Sequence, residues 1–535
     1  MTDPQSPDLH GPPTRRQLLT MIGKAGGAAA LYQAMTVLGH AADSQFTGPP
    51  TLSGAKPGAS VLVLGAGLAG MVAAYELTKA GYKVQILEFQ GRSGGRNYTV
   101  RGGDVITELG STQTVQYAPG NYLNPGPWRI PYHHRTVLHY CQELGVELEH
   151  FAQLNHNALI HRKNVNGGKP QPYRDLTTDF KGHVAELLAK SLNAGALDSA
   201  VTGEDKAKLL EAMREWGVLD NSMAYTKSVK VGEQRGWDRP PGGGVNGAPI
   251  PGEVGGLHDT LQSKVWEQIG FYAEHVMQTT MFQPKGGMDN IGKAFAAKLG
   301  NLIRLNTRVT KVAQDDRGVT AQWTDTKTGT TGETRADWLV CTIPATVLGQ
   351  MDFQVSTAKK AAIRALPYSN SVKIGLEMKR RFWETDYAIY GGHSFTDQPI
   401  GLISYPSGNW FDKGPAVILG AYPYGGVGAY MLAGMTPEKR IAAALDQGAV
   451  FHPAEYKAEF RSGASVAWNR MPWILGCCAT WTEDSRAEHY QDLVSLDGRI
   501  VLAGEHCSYY GCWQEGALLS SLDAVTRLHQ RASAA

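Results

Sequence analysis

Residues 61–88 read VLVLGAGLAGMVAAYELTKAGYKVQILE, and this stretch decides the fold. An apolar run meets Gly65-x-Gly67-x-x-Gly70, an Ala-rich helical pattern follows, and a second apolar run ends in Glu88. Strand, glycine turn, helix, strand and acid make a βαβ unit suited to a dinucleotide. Gly65 permits the tight exit from the strand, Gly67 lets backbone approach a pyrophosphate, and Gly70 lets the helix pack closely on the sheet. Free N–H groups and the dipole at the helix N-terminus favour the phosphates. Glu88, at the tip of the second strand, is placed to accept both hydroxyls of an adenosine ribose and to disfavour a 2′-phosphate. The stretch alone does not separate a flavin from a nicotinamide.

At 535 residues the chain exceeds a single core and implies more than one domain. Its 51 basic and 49 acidic residues nearly cancel, so nothing electrostatic recommends nucleic acid as a partner. Cys141, Cys341, Cys477, Cys478, Cys507 and Cys512 are irregularly spaced and read as buried apolar or site residues, not as a disulfide framework. Residues 1–56 read as signal and linker. Thr14-Arg15-Arg16-Gln17-Leu18-Leu19 precedes a mildly apolar run over 21–38 and then Gly39-His40-Ala41-Ala42. This is the pattern of twin-arginine export, which would place the protein in the periplasm or outside the cell. Lys24 and Gln33 interrupt the run, so no stable membrane span is expected. The alternative is an N-terminal helix docked on the body of a cytoplasmic protein.

After Glu88, Gly91-Arg92-Ser93-Gly94-Gly95-Arg96 suits a loop returning beneath the pyrophosphate, with Arg96 as its side-chain contact. Glu108-Leu109-Gly110-Ser111-Thr112 puts small residues where a flat ring system can pass the backbone. In this order and spacing the fingerprint, Gly94-Gly95-Arg96 and Glu108-Leu109-Gly110 resemble the flavin-dependent amine oxidase family, which includes L-amino acid oxidases and monoamine oxidases. The resemblance implies FAD and an α/β fold. Its FAD-binding Rossmann-like domain would be assembled from discontinuous segments, here 57–118, 281–348 and 468–535. An α+β substrate-binding domain would come from 119–150 and 349–467, with an inserted helical region over 151–280. The resemblance further implies cofactor contacts from Gly95, Gly110 and Ser111, from Val309 within LIRLNTRVTKV (302–312), and from Gly504 and Glu505 within IVLAGEH (500–506). It suggests a homo-oligomer, with no interface legible in the sequence, and no metal.

Residues 124–135, NPGPWRIPYHHR, resemble the element of the amino acid oxidase branch that presents an arginine to the substrate carboxylate, which here is Arg129. A planar guanidinium binds carboxylate bidentately and so fixes the direction of the Cα–H. Lys373, in the apolar stretch SVKIGL (371–376), is either an edge-strand cation reaching solvent or a group held at the cofactor. The resemblance makes it the lysine that meets the flavin through a water. It also implies Tyr405 as second carboxylate donor, Trp513 as the wall beside the substrate, and the Cys512 backbone as a contact for the amino group. Cys477 falls near the position where monoamine oxidases bond the flavin covalently, whereas amino acid oxidases hold FAD without that bond. The expected activity is oxidative deamination of a small-molecule L-amino acid to a 2-oxo acid, with ammonia released and dioxygen reduced to hydrogen peroxide. Alternatives are an amine oxidase for substrates lacking a carboxylate, an amino acid 2-monooxygenase, and a flavin-binding redox protein without oxidase turnover.

Overall fold

A computed structural model describes residues 46–534, and the twin-arginine stretch lies outside them. The two apolar runs of the opening stretch are the strands Ser60–Leu64 and Lys83–Leu87, joined by the helix Leu68–Lys79. They sit inside an all-parallel sheet ordered Ile303–Arg304, Lys83–Leu87, Ser60–Leu64, Trp338–Cys341, Ile500–Leu502. Three of its five strands come from beyond residue 300, so the nucleotide-binding sheet closes only when distant parts of the chain meet. The inner strands are continuously apolar because both faces are covered. On one face Val63 and Val340 are buried with Val72 of Leu68–Lys79 and with Leu518 and Val525 of the last helix, Gln514–Ala534. On the other, Leu62, Leu64 and Leu339 are buried with Val312 and Val319. Those two residues belong to a four-stranded sheet of Thr331–Ala336, Gly318–Asp325, Thr307–Asp315 and Asp352–Phe353.

A second, seven-stranded sheet is ordered Gln171–Pro172, Leu159–His161, His393–Thr396, Leu402–Ser404, Ala416–Ala421, Val372–Met378, Phe460–Ala467. Val372–Met378 is buried at every residue and has a neighbour on each side. Two short strands from the 151–280 stretch extend the far edge of this sheet. The helices of that stretch begin afterwards, with Tyr173–Asn193, Gly203–Trp216 and Val229–Arg235, then Leu257–Gln262 and Val265–Ala273. A three-stranded sheet of Ile130–Pro131, Met281–Pro284 and Leu148–Phe151 ties the segment that carries Arg129 to the exit of the helical region. Among the described residues no helix is long and apolar enough to cross a membrane.

The cysteine expectation is corrected in one respect: Cys478 and Cys512 form a disulfide with Cα atoms 5.0 Å apart, while Cys141, Cys341, Cys477 and Cys507 are free. Spacing along the chain is silent here because spatial approach makes the pair. The backbone N–H groups of Ala479 and Cys512 both donate to the carboxylate of Glu505, which draws the two strands of chain together.

Candidate active site

A cavity of about 910 Å³ runs from the C-terminal end of Ser60–Leu64 to the second sheet, lined by Gly65, Gly67 and Glu88 at one end and by Arg129, Lys373 and Trp513 at the other. At the first end the glycines are fixed by geometry. Gly65 has φ +99°, and a Cβ on Gly70 would lie 1.9 Å from the Gly65 carbonyl oxygen. A Cβ on Gly67 would meet no protein atom within 4 Å, so open space lies beside it on the cavity wall. No side chain caps the helix that starts at Leu68, and Leu68 and Ala69 line the cavity. Uncapped N–H groups in the first turn suit a pyrophosphate. The Gly94 N–H donates to the Ala66 carbonyl at 2.7 Å, and a Cβ on Gly95 would lie 3.1 Å from Gly67 Cα, so the two glycine loops touch.

Glu88 is buried, and its carboxylate accepts from the N–H groups of Ala66 at 2.6 Å and Gln90 at 2.8 Å. Burial pushes its carboxyl up, against the pull of those donors and of Arg92. Val309 lines the cavity where the pairing of Thr307–Asp315 with Gly318–Asp325 slips between Val309 and Lys311, a bulge that turns backbone away from the ladder. Arg96 donates to Glu505 at 2.7 Å and to the Cys477 carbonyl at 2.9 Å. The other contacts of Glu505 are the N–H groups of Ala479 and Cys512, at 3.1 and 3.0 Å. Gly504 has φ +132°, and its N–H and carbonyl both engage the Ser520 hydroxyl. An elongated dinucleotide fits these donors and the open space between them.

Gly110 and Ser111 correct the sequence reading, since they do not line the cavity. Gly110, with φ +77°, is in the turn of a hairpin between Val105–Glu108 and Ser111–Thr114, and Ser111 opens its second strand, paired with Glu108. Glu108 is turned into the core, where both its oxygens accept from Arg440, at 2.9 and 2.8 Å.

At the substrate end a tight loop carries Arg129. A Cβ on Gly126 would lie 1.9 Å from the Arg96 carbonyl oxygen, and Trp468 Nε1 donates to the Pro125 carbonyl at 2.8 Å. Lys373 Nζ donates to the carbonyls of Asn124 and Gly126 and lies 4.6 and 4.5 Å from the ring centres of Trp128 and Tyr422. Its strand is central, so the solvent-reaching reading is excluded. Burial, and then the charge of Arg129, hold its ammonium well below the ordinary lysine range.

Arg129 is 6% exposed and has no ion pair among the described residues. One terminal nitrogen donates to Met277 Sδ at 2.9 Å, while buried Nε has no hydrogen-bond partner. Trp128, Phe271 and Trp513 surround the guanidinium at 5.2, 5.9 and 5.9 Å. Burial lowers it to about 10, which leaves it charged at neutral pH. Trp513 is braced edge-on by His134 at 5.0 Å.

Tyr405 is a second correction. Its hydroxyl is bonded to Ser394 at 2.9 Å and His452 at 2.8 Å in the core of the second sheet, and it does not line the cavity. The tyrosine that does stand beside Lys373 is Tyr422, just past the strand Ala416–Ala421. The Cys512 N–H is already taken by Glu505, and the disulfide from Cys478 to Cys512 is itself part of the cavity wall. Cys477 also lines the cavity, but burial pushes its thiol up. Tyr422, Phe271, Met277 and the disulfide were missed from sequence; only the apolar run ending in Tyr422-Pro423-Tyr424 carried a usable signal.

A family model described as flavin containing amine oxidoreductase matches residues 68–529. An L-amino-acid oxidase of Siganus canaliculatus is 26% identical over 474 residues, covering 88% of this chain and 85% of that protein. One of Bothrops pauloensis is 27% identical over 484 residues, covering 87% and 88%. Among solved structures, the cyclohexylamine oxidase from Brevibacterium oxydans IH-35A is similar with a TM-score of 0.58 at 18% identity, over 89% of this chain and 99% of that one, a likeness of fold.

Proposed function

The chain belongs to the flavin-containing amine oxidoreductase family, and from that premise we propose that it is an FAD-dependent L-amino acid oxidase. The observation that carries the substrate class is Arg129: a buried guanidinium on the cavity wall with no ion pair among the described residues. A buried charge without a partner is costly. A substrate carboxylate relieves that cost and is gripped in return.

Gly67, Glu88, Arg96, Val309, Gly504 and Glu505 would hold the FAD, in the order pyrophosphate, ribose, and the segment leading to the ring. Bound FAD supplies the acceptor for a hydride from the substrate Cα and passes the electrons to dioxygen, giving hydrogen peroxide. Arg129 fixes the carboxylate, and Trp513 and Tyr422 wall the position of the α-carbon and exclude water. The apolar walls and the adjacent positive charge disfavour a cationic α-amine, as they do the cationic form of Lys373, so the substrate amine is held neutral with its lone pair free. Lys373 Nζ donates to two carbonyls, and burial disfavours its charged form, so it is a group able to exchange a proton next to the reacting centre. The imino acid product hydrolyses to a 2-oxo acid and ammonia. We assign the enzyme to the periplasm or the exterior, on the strength of the Arg15-Arg16 motif together with a disulfide of the kind that persists in oxidising compartments.

A peroxide-coupled screen of the twenty L-amino acids, with D-enantiomers and simple amines as controls, tests the reading. Peroxide and 2-oxo acid from L-amino acids alone are expected. Peroxide from amines alone would sink it, and an amide product would replace it with a monooxygenase.

A further inference from the structure

Three carboxylates line the cavity: Glu88, Glu505 and Glu274. The first two are anchored by backbone N–H groups, Glu505 also by Arg96, and lie at the cofactor end. Glu274 is not. It caps the helix Val265–Ala273 through its backbone, while its half-buried carboxylate makes no hydrogen bond or ion pair among the described residues. Arg129 is the charge that acts on it, yet the two are not within ion-pair distance. The guanidinium instead spends a donor on Met277, from the same short segment. Were Glu274 the resting counterion of Arg129, a direct contact would be expected in place of a thioether sulfur.

Resting on the amino acid oxidase reading, we propose that Glu274 is a specificity residue that receives the cationic end of the substrate side chain. The preferred substrates would be L-amino acids of the arginine and lysine class. With the carboxylate on Arg129, the methylene stem of such a side chain lies along Phe271, which stands 5.9 Å from the guanidinium, and its charge ends at Glu274. The same carboxylate repels L-glutamate and L-aspartate. Arg129 and Glu274 are then two opposite charges on one cavity wall, beyond ion-pair distance of each other, one for each charged end of the substrate.

The test compares kcat/KM for L-lysine with that for L-norleucine, which has the same stem without the charge, in the wild-type holoenzyme and in Glu274→Gln and Glu274→Lys. The wild type is expected to favour lysine at least tenfold. Glu274→Gln should collapse the lysine-to-norleucine ratio at least tenfold, chiefly through KM, and Glu274→Lys should make L-glutamate a better substrate than L-lysine. Equal use of lysine and norleucine by the wild type, or an unchanged ratio in both variants, would overturn the proposal while leaving amino acid oxidation standing. Turnover of amines with no turnover of any amino acid would remove both.

Discussion

In the proposed function Arg129 couples recognition to stability, because the protein carries the cost of its buried charge until a substrate carboxylate binds. Arg129→Ala should therefore lower kcat/KM for amino acids by a hundredfold or more, corresponding to about 3 kcal/mol for a buried, hydrogen-bonded charge pair. Most of the loss should lie in KM, and steady-state kinetics on an amino acid and on its decarboxylated amine separates this from general damage. Arg129→Lys keeps the charge but not the planar fork, so an intermediate loss is expected. At the other end of the cavity Gly70 leaves no latitude. A Cβ there would sit 1.9 Å from the Gly65 carbonyl oxygen, so Gly70→Ala should displace the glycine turn, and the visible absorbance of the purified protein should report loss of flavin.

At the scale of elements, the hairpin of Val105–Glu108 and Ser111–Thr114 is pinned by buried Glu108, which accepts from the Ala467 N–H of the second sheet and pairs with buried Arg440 of the helix Pro437–Gly448. Removing one member leaves a buried charge, so Glu108→Gln should cost about 3–5 kcal/mol, read from the denaturant midpoint. Sequence alone could not reveal this role, since an acid beside a glycine turn looks the same whether it faces a cofactor or a core arginine. The tyrosines make the same point. Tyr405-Pro406 and Tyr422-Pro423 both follow a strand of the same sheet, yet one enters the core and the other the cavity. Successive side chains alternate between faces, and which face is which depends on register with distant partners. The βαβ unit was legible because its glycines answer to local geometry, and the presence of Arg129, Lys373 and Trp513 on the cavity wall because each sits in a motif. Met277 and Glu274 come from the helical region, where no local pattern marks which residue returns to the cavity.

For the whole molecule, pH acts through histidines that burial holds neutral. His452 and His506 are lowered by burial from 6.5 to about 4. Between those values the unfolded chain binds more protons than the folded one. Stability is thus full above about pH 6.5 and is lost as pH falls toward 4, by about 3 kcal/mol per group at the low end. Denaturation midpoints measured from pH 7 to pH 4 should show this decline, and His452→Gln should flatten its share of the slope.

The disulfide spans 34 residues of sequence, and the enclosed loop contains the helix Glu483–Val494, the strand Ile500–Leu502 and Glu505. Its closure is worth about 3–4 kcal/mol in the chain-entropy picture. Thiol titration of the unfolded, unreduced protein should find four free cysteines, rising to six after reduction, with a fall in Tm between the two states. The bond also makes the finished enzyme depend on its surroundings during maturation. The same polypeptide produced in a reducing cytosol and in an oxidising one would be two materials, differing in how firmly the last third of the cofactor cradle is shut, so recombinant yield and flavin content should follow the redox character of the host.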